Sequence, residues 1–70
     1  MPAINEARDP KHHAKNIQRM LTEVIEHVRS DIPKVTDPKF QALLETSAEV
    51  LIGLRTAYEH YETKQESAFA

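Results

Sequence analysis

The chain contains no cysteine and a single glycine, Gly53. The first absence excludes disulfides and thiolate metal sites and fits a reducing compartment. The second excludes every glycine-rich loop that cradles phosphate. No apolar run approaches the roughly 20 residues that a membrane-spanning helix needs. Basic excess is also missing: the net charge is -2 and the isoelectric point about 6.0. Nothing in that balance draws the chain to nucleic acid or to an anionic membrane surface. The opening Met1-Pro2-Ala3-Ile4-Asn5 has no basic region leading into an apolar one, as a secretory signal would. Cytoplasm is therefore the expected compartment.

Apolar residues at helical spacing are what the chain does have. Asp9-Pro10 reads as a helix start, because the Asp carboxylate can accept from the first free N–H groups and Pro at the first position gives up no helical bond. A first helix is expected over 9–30, with a seam of Ala14, Ile17, Leu21, Val24 and Val28 flanked by Met20 and Ile25. Lys15, Asn16, Arg19, Glu23 and Glu26 form its outer face, with Glu23–His27 and Glu26–Arg29 spaced for weak pairs. Ile32-Pro33 stops the helix, since Pro disfavours the helical conformation before it. Asp31 to Thr36 is then a short connection between antiparallel neighbours, with Ile32 and Val35 plugging the end of the core.

Asp37-Pro38-Lys39 repeats the start signal of Asp9-Pro10-Lys11. The apolar phases after the two triplets disagree, which argues for a reused cap and against a duplication. The second helix is expected over 37–65, with residues 1–8 as a flexible arm, 9–66 as the hairpin and 67–70 as a frayed end. Its seam is Phe40, Leu44, Ser47, Leu51, Leu54, Tyr58 and Tyr61, alternating steps of four and three as one helix face requires. Leu43, Val50 and Ala57 lie beside that seam, and Ala48 and Ile52 widen it on the other side.

This apolar surface is broader than one neighbouring helix covers, and the chain supplies only one. A 70-residue chain is also marginal as a lone domain. The expected architecture is all-α, an antiparallel two-helix hairpin that dimerises into a four-helix bundle. The expected interface is Leu43, Val50, Leu51, Leu54, Ala57, Tyr58 and Tyr61, with the second helices paired at the centre. Thr46, Gly53 and Ala57 mark a line of small residues where helices can approach closely.

Signs of chemistry are few. Di-iron bundles use inward carboxylates with Glu-x-x-His; that motif is absent, and Glu23, Glu26, Glu45, Glu49 and Glu59 fall on outward positions. The stretch Asp37-Pro38-Lys39-Phe40-Gln41-Ala42-Leu43-Leu44, followed by Ala48-Glu49, resembles the half-ferritin hairpins, which also dimerise into bundles. Without the ligand motif, no function is carried over. Ser47 has no predictable base beside it, and Tyr58 and Tyr61 read as core or interface rings. Arg8, Lys11, Lys15 and Arg19 make a modest basic patch without a recognition helix or stacking platform. The reading is a non-enzymatic structural or interaction protein, a homodimer able to bind a further protein partner, with no cofactor, nucleic acid or membrane. The alternative is a small metal- or ligand-binding bundle in which His12, His13, Glu59 and His60 meet where the helix ends come together.

Overall fold

The computed structural model describes the backbone of residues 8–69 and the side chains of residues 8–63. The expectations for residues 1–7 and for Ala70 fall outside the described residues. Helix α1 runs over Pro10–Asp31, a short 3-10 helix over Ile32–Lys34, and helix α2 over Pro38–Phe69. α1 and α2 pack against each other as a helical hairpin, and no strand occurs among the described residues.

Both starts follow from the Asp-Pro-Lys triplets. Asp9 is extended at φ -79, ψ 116, and its Oδ1 accepts from the Lys11 N–H at 3.0 Å. Asp37 does the same for the Lys39 N–H at 3.1 Å, while its carbonyl accepts from the Gln41 N–H at 2.9 Å. Each side chain thus satisfies a donor that the first helical turn leaves without a partner. At the far end of α1 the chain tightens into the 3-10 turn through Pro33 and leaves it at Val35, extended at φ -103, ψ 152. The carbonyls freed there are not left bare. The Gln41 side-chain amide donates to Val35 O at 2.7 Å and to Ile32 O at 3.3 Å, tying the turn to α2.

The packed seam differs from the expected one. Among the described residues the buried apolar side chains are Ala14, Ile25 and Ala48, at 4%, 2% and 4% exposure. Ile25 and Ala48, expected as flanks, stand at the centre. Val24, Phe40 and Leu54, expected in the seams, are 47%, 44% and 46% exposed. The residues between the helices recur as Ala14, Gln18, Leu21, Ile25 and Val28 on α1 with Ile32 in the 3-10 turn, and as Gln41, Leu44, Ala48, Leu51, Arg55, Tyr58 and Glu62 on α2; each is buried or half-buried. Several are polar and bond across the hairpin. Gln18 Nε2 donates to Glu62 Oε1 at 2.7 Å, Lys15 Nζ pairs with Glu62 Oε2 at 3.4 Å, and Arg55 Nη1 donates to Thr22 Oγ1 at 3.1 Å. An apolar count misses these positions because they exchange apolar area for directional bonds.

The expected pairings on α1 change too. Glu23 pairs with Arg19 at 3.4 Å, and His27 reaches forward to Asp31 at 3.1 Å. His27 therefore does not pair with Glu23, and its side chain is 76% exposed. The outward placement of Glu23, Glu26, Glu45, Glu49 and Glu59 agrees with their exposure.

Candidate interaction face

One α-helical residue step is about 100° of rotation. On both helices a second stripe precedes the hairpin-facing one by a single residue. On α2 it comprises Phe40, Leu43, Ser47, Val50, Leu54, Ala57 and Tyr61. On α1 it comprises His13, Ile17, Met20, Val24, His27 and Asp31. The offset has the same sense on two antiparallel helices, so both stripes emerge on the same side of the hairpin. That side holds every large apolar residue strongly exposed among the described residues: Met20 at 45%, Val24 at 47%, Phe40 at 44%, Leu43 at 57%, Val50 at 62% and Leu54 at 46%.

The slab is thin, with principal extents of 51 × 26 × 12 Å, and the strongly exposed large apolar residues among those described lie on one of its two faces. On the apolar side, Ala14, Ala57, Tyr58 and Tyr61 line an open groove of about 330 Å³ near the free helix ends. Among the described residues the other side carries polar hollows, one lined by Asp9, Lys11, His12, Lys15 and Glu62 and one by Arg29, Ile32, Glu45, Ala48 and Glu49.

Of the residues expected at an interface, Leu43, Val50, Leu54 and Ala57 are exposed, and Tyr61 is half-buried on the same stripe. Leu51 and Tyr58 are half-buried between the helices of their own hairpin. Gly53 lies further round α2 on the outer flank, where an added Cβ would meet no atom within 4 Å. Within the hairpin it serves no close approach. The residues of the alternative metal site are not gathered: among the described residues no cluster of three or more His, Asp or Glu side chains is arranged to hold an ion. His12 and His13 instead stack edge-on at a centroid distance of 5.4 Å, and His12 Nε2 lies 3.4 Å from the Asn16 side-chain amide. Glu59 and His60 are exposed. Among the described residues no helix is long and apolar enough to cross a membrane.

Compared with family models, with curated proteins and with solved structures, the chain matches none.

Proposed function

We propose that the protein is a non-enzymatic structural or interaction protein of the cytoplasm that works by self-association, two hairpins closing their apolar faces into a four-helix bundle. The observation that carries this reading is the one-sided exposure of Met20, Val24, Phe40, Leu43, Val50 and Leu54. Complete burial of such a side chain is worth about 1.5–3 kcal/mol, so covering a half-exposed one returns roughly 0.7–1.5 kcal/mol. Twelve of them in a symmetric pair return roughly 9–18 kcal/mol, set against an association cost of about 4–15 kcal/mol. The hairpin also has reason to seek cover, because among the described residues only Ala14, Ile25 and Ala48 are buried apolar side chains. The polar outer faces remain available to a further protein partner.

Multi-angle light scattering of the purified chain tests the reading. A dimer at micromolar concentration is expected. Leu54→Glu places a carboxylate in the covered face, where two unpaired charges cost several kcal/mol, and abolishes the dimer. A wild-type chain that stays monomeric at that concentration refutes the proposal.

A further inference from the structure

Resting on that self-association, we infer that Met20 is an oxidation site through which peroxide takes the dimer apart. The chain has two methionines, no cysteine and no tryptophan. A hydroperoxide therefore finds no thiol to attack, and thioether sulfur is the most readily oxidised group left. One of the two methionines, Met20, lies among the described residues. It is 45% exposed, so its side chain is open to solvent while the hairpin is alone.

The step is an oxygen transfer. The Met20 sulfur attacks one peroxide oxygen, the O–O bond breaks, a sulfur–oxygen bond forms, and hydrogen peroxide leaves as water. A flexible apolar side chain becomes a polar, chiral one. The hairpin itself does not use Met20. At its height the residues between the helices are Gln18, Leu21 and Ile25, and Met20 lies on the apolar face. There Ile17 and Val24 flank it, and the bond from Arg55 to Thr22 brings Ala57 of α2 to its level. None of these three side chains can donate to a sulfoxide oxygen. The side-chain amide of Asn16, one turn back, lies 3.4 Å from His12 Nε2.

A second copy covers Met20 whichever way the two apolar faces are turned, because Ile17 and Val24 extend the face on both sides of it. Covering one half-exposed apolar side chain strengthens association by about threefold at the least, and the symmetric pair of Met20 side chains by about tenfold. Oxidation removes that gain. A sulfoxide oxygen held under the face without a donor deepens the loss. Pairing in turn shields the sulfur, since only the open hairpin exposes it, and mass action sets how much open hairpin there is. Dimer and sulfoxide therefore exclude one another. Oxidation holds the chain open, and reduction of the sulfoxide returns it to pairing.

The test compares the wild-type chain with Met20→Leu, a swap close in volume that keeps Met1 as the control for oxidation elsewhere. Both are treated with dilute hydrogen peroxide, the excess is destroyed with catalase, and the added oxygen is located by peptide mass spectrometry. Untreated, both should be dimers in light scattering. Wild-type chain carrying the sulfoxide at Met20 should dissociate, with a Kd raised at least about tenfold, while treated Met20→Leu stays dimeric. Methionine sulfoxide reductases, one for each sulfur epimer, supplied with a dithiol should restore the thioether and the dimer together. Diluting the wild-type chain should also speed Met20 oxidation relative to free methionine amide in the same tube. Oxidised wild-type chain that keeps its dimer would overturn the inference. So would a Met20→Leu dimer lost to the same treatment, or a Met20 oxidation rate that ignores protein concentration. Untreated wild-type chain that is monomeric would overturn the self-association itself.

Discussion

Gly53 offers a test that separates backbone preference from contact. It sits in the interior of α2 with no positive φ, and a methyl group built there meets nothing within 4 Å. It lies on the outer flank of α2, away from α1 of its own chain and off the apolar face proposed to close on a second copy. Gly53→Ala then changes only the cost of holding that residue helical, a gain of about 0.8–1 kcal/mol per chain. For a domain of this size a gain of that order raises the melting temperature by about 4–8 °C. The assay is thermal and urea unfolding followed at the helical circular dichroism band, repeated at two protein concentrations. Both concentrations should show the same gain, because the substitution acts inside each chain and not on association. An unchanged or lowered midpoint would refute the reasoning. It would mean that the Gly53 backbone lies against a neighbouring helix, as the line Thr46, Gly53, Ala57 suggests from sequence alone. A loss confined to the lower concentration would point to the same fault, because a weakened interface shows most where dimers are scarce.

Two further substitutions examine the hairpin itself. Ile25→Ala removes the most buried of the described apolar residues, at 2% exposure, and should cost about 2–5 kcal/mol, read as a lowered urea midpoint. Asp37→Ala removes the acceptor for the Lys39 N–H and should cost about 0.5–2 kcal/mol, whereas Asp37→Asn keeps an acceptor and should retain most of the stability. Equal losses in the two Asp37 variants would show that the cap acts through charge alone.

What was legible in the sequence was what is decided locally. Asp9-Pro10 and Asp37-Pro38 announce both helix starts because the cap is made within a few residues. Ile32-Pro33 announces the end of α1 because proline constrains its own neighbour. The phase of the seam was not legible. Counting apolar residues draws one stripe through Phe40, Leu44, Ser47, Leu51 and Leu54, whereas the fold has two stripes a single residue apart. Leu44 and Leu51 belong to the inner one, Phe40 and Leu54 to the outer one. An apolar count passes over the inner stripe because Gln41, Arg55 and Glu62 are polar, and only the folded hairpin supplies the partners in the turn and on α1 that make them inward residues. His27 failed for a related reason. Glu23 and Asp31 are both one turn away, and only the structure shows that Arg19 takes Glu23 and leaves Asp31 to the imidazole.

The two stripes also divide the work of assembly in a way that bears on the candidate face. Between α1 and α2 the contact is thin in apolar area but rich in bonds that tolerate little displacement: Gln18 to Glu62, Arg55 to Thr22, Gln41 to the carbonyls of the turn. Each such bond adds only about 0.5–1.5 kcal/mol net, yet leaving one broken inside a seam costs more. They therefore fix the register of the hairpin more than they supply its stability. The outer stripe is the reverse, with apolar area and few directional groups. A chain whose register is set internally and whose apolar area lies on one face should gain much of its stability on association. Its unfolding midpoint should then rise with protein concentration, as mass action requires when the folded form is the one that pairs.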